Sequence, residues 1–217
     1  MPSKEQVSAA VGASVTKDPA INSFTAKELV LSAQVDPASC ADAYALVWAI
    51  TAPKDTVEMV SASYSVGNSS VVVDVADSPR SLQQAKDTID ACPTFTVVKT
   101  HGASTYAVGD SISKFTIARA NLANPESLEV SVISDAQILM SIDAACTGTA
   151  SPGPGCVERR TDQVNQVLRR VGPNLISVWG VATSTINGAA ATDPPIGPTA
   201  ILALADQVQQ AVTDQTR

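Results

Sequence analysis

Up to about Trp48 the apolar residues of this chain recur at helical spacing, and from Thr56 they recur mainly every second position, helical spacing returning only at Ser81–Cys92 and Pro198–Thr213. A helix presents one face every 3.6 residues and a strand every two, so this change of period predicts helices first and a sheet after. The strand-like segments are short, β-branched and separated by turn residues, which predicts antiparallel pairing. A chain of 217 residues with 45% apolar and 16% charged residues can bury one substantial core, so a single domain spanning 1–217 is expected.

Three short helices are expected in the first fifty residues. Ser3 precedes Val7, Ala10 and Val11 at helical spacing and reads as an N-cap, with Gly12 near the stop. A second helix is expected from Thr25, broken by Asp36-Pro37, and a third from Ser39 to about Trp48. On the third, Cys40, Tyr44, Val47 and Trp48 share one face, so Cys40 is expected to point inward.

Val57 to Tyr64 and Ser70 to Val75, joined by Gly67-Asn68, read as a hairpin. Ser81 then opens a helix with Leu82, Ala85, Ile89 and Cys92 on one face, ended by Pro93. Further strands are expected at Thr94–Lys99, Ser104–Val108, Lys114–Ala120, Leu128–Ile133, Gln137–Ile142 and Leu175–Ala182. Asp162 to Val171 fits both periods and reads as a helix giving way to strand. Thr147 to Gly155 and Asn187 to Pro198 read as loops, and Pro198 to Thr213 as a last helix with Ile201, Ala205, Val208 and Val212 on one side. The expected class is α+β: an antiparallel β-sheet packed with helices.

The four cysteines, Cys40, Cys92, Cys146 and Cys156, are even in number and lack the close pairing of a zinc or redox site. They read as two structural disulfides stapling the domain, a chemistry of oxidising compartments. Of the three possible pairings, the inward helix faces favour Cys40 with Cys92, and the Pro-Gly loop favours Cys146 with Cys156. The expected location is therefore extracytoplasmic, as a secreted protein or cell-membrane lipoprotein. Met1-Pro2-Ser3-Lys4 has neither a hydrophobic segment nor a cleavage site, so an export signal or lipid anchor is expected to have been removed. A composition rich in Ala, Val, Ser and Asp and poor in Lys suits a GC-rich actinobacterial source.

Candidate chemistry is sparse. The net charge of −7 argues against nucleic acid, the basic residues being gathered only in Arg159-Arg160 and Arg169-Arg170. His101 is the one histidine and reads as a turn residue; no metal or cofactor is expected. Gly109-Asp110-Ser111 echoes the nucleophile block of GDS-type esterases, but no histidine follows Ser111. Ser111-Ile112-Ser113-Lys114 and Ser14-Val15-Thr16-Lys17 satisfy S-x-x-K, which activates a serine only at a helix start. Asp74 and Asp77 read as strand-end residues, and Asp87 and Asp90 as the solvated side of a helix. No acid, base or nucleophile has an orienting partner in the sequence, so no catalytic residue is assigned.

The run Ser3-Lys4-Glu5-Gln6-Val7 through Gly12, then Asp36-Pro37-Ala38-Ser39-Cys40, Ser78 to Cys92, and the last helix Ile201 to Val212 resemble the PknH-type extracellular sensor domains and related actinobacterial lipoproteins. The resemblance implies an antiparallel sheet and helices enclosing a cleft for an unidentified ligand, with two disulfides. Two features depart from it: Cys146 and Cys156 lie close together before Trp179, and the aromatic content is only 4%. The leading expectation is a non-enzymatic extracytoplasmic domain that binds a small or lipidic molecule or a cell-envelope protein, through ligand-binding residues not identified from the sequence. A structural or protein-interaction module is the alternative, and a serine hydrolase using Ser111 a third reading.

Overall fold

The computed structural model describes residues 1–15, 19–25, 33–48, 58–67, 69–99, 109–140, 156–191 and 196–215. Its first helix, α1 (Lys4–Val11), starts where Ser3 and Gln6 exchange hydrogen bonds: Ser3 N–H donates to Gln6 Oε1 at 2.7 Å and Gln6 N–H to Ser3 Oγ at 3.3 Å. That reciprocal cap satisfies two of the amide donors orphaned at any helix start. Gly12 ends the helix at φ 69°, a left-handed conformation that glycine adopts without steric penalty.

After β1 (Ala20–Thr25) and β2 (Ala33–Asp36), a 3-10 turn at Ala38–Cys40 leads into α2 (Ala41–Trp48). The helix expected from Thr25 is corrected at both ends. Thr25 closes β1, which pairs antiparallel with Glu58–Ser63 of a later strand, and Ala33–Asp36 pairs antiparallel with the strand Thr94–Lys99, burying Val35. The hairpin is present as β3 (Glu58–Val66) and β4 (Ser69–Asp77), followed by α3 (Leu82–Asp90) with a Ser81–Gln84 cap like that of α1. Leu82, Ala85 and Ile89 of α3 are buried, as their spacing predicts, while Asp87 and Asp90 pair on its outer side with Gln83 and Lys86.

The remaining strands are β5 (Thr94–Lys99), β6 (Ser111–Asn124), β7 (Ser127–Leu139), β8 (Val157–Val171), β9 (Asn174–Ile186) and the short β10 (Ala189–Ala190), and the chain closes with α4 (Pro198–Gln215). Together the described strands form a ten-stranded antiparallel sheet in the order β1-β3-β4-β9-β8-β7-β6-β5-β2, with β10 folded back on β9. The expected strand Ser104–Val108, the loop Thr147–Gly155 and His101 lie outside the described residues, as does Asn68 of the hairpin turn.

Two further corrections concern the centre of the sheet. The segment Asp162 to Val171 contains no helix; it is the second half of β8. Val164 and Leu168 pack with α2 and α3 on one face, and Val167 with α4 on the other. A strand covered on both faces carries apolar residues at both parities, which mimics helical spacing. The strands expected at Leu128–Ile133 and from Gln137 are one strand, β7, running unbroken through Ser134, Asp135 and Ala136 and ending at Leu139, with residues 141 and 142 outside the described residues.

The sheet thus separates two cores. On one face α2 and α3 cover Met59, Phe95, Phe115, Leu128, Val130 and Leu175. On the other α1 and α4 cover Ala62, Tyr64, Val71, Val73, Ile176 and Val178. Cys40 and Cys92 form a disulfide with a Cα–Cα distance of 5.6 Å, tying the start of α2 to the end of α3. No described cysteine is free, and Cys156 is disulfide-bonded; Cys146, its expected partner, lies outside the described residues.

Helix α4 and the residue Ile196 just before it pack directly on Gly180 of the sheet. A Cβ at this position would stand 2.6 Å from Ile196 Cγ2 and 3.0 Å from Ile201 Cδ1, both on buried side chains. Gly180→Val therefore pushes α4 off the sheet. The expected cost is about 1–3 kcal/mol, typical of overpacking, read as a lowered thermal midpoint with unchanged far-ultraviolet circular dichroism. An unchanged midpoint would show that α4 docks less closely than the structure places it.

Candidate functional site

On the α2/α3 face, antiparallel register stacks side chains from four adjacent strands into three rungs. Lys99 of β5 lies opposite Ser111 of β6, which lies opposite Ile138 of β7. The next rung runs Val97, Ser113, Ala136 and Arg160, and the third Phe95, Phe115, Ser134 and Asp162. The middle of this surface is built of Ser111, Ser113, Ser134 and Ala136, whose side chains are too short to reach the height of their neighbours. A depression follows, because large residues stand on either side of a small-residue floor.

The walls are long or aromatic. Tyr44 reaches in from α2, packed edge-on against Phe115 with ring centroids 5.6 Å apart, and Phe115 stacks on Phe95 at 5.1 Å. Trp179 and Val181 of β9 form the opposite wall with Ser70 of β4. The volume of this open cleft is about 310 Å³. That lies at the lower end of the range of small-molecule pockets.

The electrostatics of the cleft are set by three charges. Arg160 donates from Nε to Asp162 Oδ1 at 2.6 Å, and the same oxygen accepts from Thr183 Oγ1 at 2.9 Å. Asp162 is thereby fixed by two donors and in turn fixes the guanidinium. Lys99 stands exposed across the cleft, three strands away and so about 14 Å distant at the usual spacing between strands.

Behind Trp179 lies a buried carboxyl. Asp74 is 2% exposed in the interior of β4, not at a strand end as the sequence suggests, although Asp77 does end the strand. Trp179 Nε1 donates to Asp74 Oδ2 at 3.0 Å. Burial raises the Asp74 pKa from 3.8 to about 6, against the opposing effect of hydrogen bonds from Ser61 and Trp179. The indole of the cleft wall is held from behind by this residue.

Ser111 belongs to the cleft but not to a recognisable catalytic arrangement. Ser111-Ile112-Ser113-Lys114 lies in β6 rather than at a helix start, and residues three apart in a strand point to opposite faces. Lys114 is therefore turned away from Ser111. Lys99 is its cross-strand neighbour, yet no hydrogen bond joins the two among the described residues. Thr16 and Lys17 of the other S-x-x-K lie outside the described residues, among which no cluster of metal-ligating side chains occurs.

The two arginine pairs do not merge into a basic patch. They sit near opposite ends of β8, about 30 Å apart at ~3.3 Å per residue. Arg169 pairs with Asp206 at 2.5 Å and donates to Gln209, while Arg170 donates to the carbonyl of Gly172 and to those of Ser78 and Arg80. Only Arg160 faces the cleft.

The residues that form the floor are those at which sequence reading lost the strands. The gap between the two segments expected in β7 is Ser134 to Ala136, and the apolar pattern of β6 starts only after Ser111 and Ser113. Small polar residues interrupt the apolar pattern because they face a cavity and not a core. An interruption that preserves the period of two was the available signal.

No protein-family model matches the chain, and neither does any curated protein. Among solved structures it is similar to the extracellular domain of PknH from Mycobacterium tuberculosis, with a TM-score of 0.54 and 14% identity over 99% of this chain and 91% of that one. A weaker likeness, with a TM-score of 0.47 and 11% identity, is to an uncharacterized protein from Mycobacterium smegmatis over 88% of this chain and 86% of that one. The chain shares with the PknH extracellular domain an α+β fold, an antiparallel sheet packed with helices and, here, stapled by Cys40–Cys92.

Proposed function

We propose that this chain is an extracytoplasmic, sensor-like domain of an actinobacterial cell-envelope protein, secreted or lipid-anchored, and that its role is to bind a ligand without transforming it. The carrying observation is the cleft on the α2/α3 face: a floor of Ser111, Ser113, Ser134 and Ala136 between aromatic and charged walls. The disulfide supports an oxidising compartment. The shared fold supports a sensor-like role, since the similar structure is the extracellular domain of PknH.

Native mass spectrometry of the protein purified from an actinobacterial host tests the reading. The expected result is a bound mass that disappears on denaturation and is absent from Ser113→Leu, which fills the floor. A bound mass retained by Ser113→Leu would place the ligand elsewhere, and the lack of any adduct in the native protein would count against a tightly held ligand.

A further inference from the structure

We propose that the ligand of the cleft is a small acid, carrying one carboxylate or phosphate group that meets Arg160 and an apolar body that packs on Trp179 and Val181. This rests on the binding role proposed above. The guanidinium of Arg160 is anchored through Nε to Asp162, and its Nη groups have no hydrogen-bond partner among the described residues. An arginine held by one edge presents its remaining donors in a fixed planar array. That array matches the two oxygens of a carboxylate or phosphate, for which a flexible lysine is a poorer fit.

Charge points the same way. The side chains lining the cleft, Lys99 and Arg160 against Asp162, carry one net positive charge in a protein whose overall charge is −7, and Asp74 behind Trp179 adds an opposing charge only as it ionises near pH 6. A local cationic site set against an acidic surface selects for an anion that can leave water for the pocket. The hydroxyls of Ser111 and Ser113 on the floor offer further donors to a ligand that extends across the cleft. A volume of about 310 Å³ accommodates a compact molecule, and Trp179 with Val181 gives it an apolar surface.

Fluorescence titration of the full chain with 8-anilinonaphthalene-1-sulfonate and with uncharged N-phenyl-1-naphthylamine separates the acid from the cleft, since the two probes share an aromatic body. The acidic probe is expected to bind about tenfold more tightly, the difference shrinking at high salt as a charge-assisted contact is screened. Arg160→Gln is expected to weaken the acidic probe about tenfold and leave the neutral one within about twofold, with Arg160→Lys intermediate. Lys99→Gln, a change at an exposed strand end that leaves the core untouched, is expected to cost the acidic probe about twofold at low salt and less at physiological ionic strength, where the roughly 14 Å separation from Arg160 exceeds the screening length. Displacement by octanoate or by octyl phosphate identifies the head group as carboxylate or phosphate, and displacement by neither overturns the inference. Equal binding of both probes, insensitive to Arg160→Gln, overturns the acid and leaves the cleft as a binding site. Binding of neither probe removes the binding role along with it.

Discussion

Replacing Cys40 and Cys92 together by alanine is expected to lower the unfolding free energy by about 4 kcal/mol. The two residues are 52 positions apart, and the chain-entropy estimate for a loop of that length gives this figure. For a chain of this size it corresponds to roughly 8–16 °C in thermal midpoint. Urea or thermal unfolding of the double variant, beside wild type with and without reductant, is the measurement. The staple also has a functional side. It holds the entry to α2 four residues before Tyr44, which walls the cleft, so the double variant is expected to bind the acidic probe more weakly even at temperatures where it stays folded. A midpoint within 2–3 °C of wild type, a shift worth no more than about 1 kcal/mol, would mean that packing of α2 and α3 alone holds this face together.

Asp74 is expected to make the protein less stable as the pH rises from about 4 to about 6. Its folded pKa of about 6 lies above the ordinary aspartate value of 3.8, so across that interval the folded state holds a proton that the unfolded state has released. Stability falls with pH wherever the folded state binds more protons, and the interval between the two values corresponds to about 3 kcal/mol. The contribution is complete below pH 4 and lost above pH 6. Asp74→Asn removes the ionisation while its amide oxygen still accepts from Trp179 Nε1. The variant is therefore expected to gain up to about 3 kcal/mol over wild type at pH 7.5 and nothing at pH 4. Urea unfolding of both proteins at pH 4, 5, 6 and 7.5, followed by tryptophan fluorescence, measures it. A difference that does not vary with pH would assign the effect of the substitution to packing or hydrogen bonding. Because Trp179 is also a wall of the cleft, the same titration reports whether ionising the buried carboxyl shifts the indole that the ligand is proposed to touch.

Local signals in the chain were reliable wherever a structure depends on neighbouring residues. The caps at Ser3 and Ser81, the buried stripe Leu82, Ala85 and Ile89, the hairpin of β3 and β4, and α4 all formed where their residues predicted. Each depends on side chains within one or two turns, or on a two-residue connection. Cys40–Cys92 was legible for a related reason: two cysteines on inward helix faces have few other places to go. The misreadings occurred where distant segments set the environment. Ala33–Asp36 is a strand because β5 offers it an edge, and β8 lost its alternation because α2 and α3 cover one face and α4 the other.

The cleft belongs to that second class. Lys99, Ser113, Arg160 and Trp179 are far apart in the chain and carry no motif; antiparallel register alone places them on one face. Asp74 looked like an ordinary strand-end carboxylate until β9 set Trp179 against it and desolvation raised its pKa. The amino-acid sequence by itself determined the α+β class, the helix boundaries that have caps, and the cysteines that staple the domain, since all of these follow from short-range geometry and composition. Tertiary structure decided which small residues form a floor, which arginine faces a cavity and which carboxyl is dry. Those properties arise from what packs across the sheet, and no local pattern encodes them.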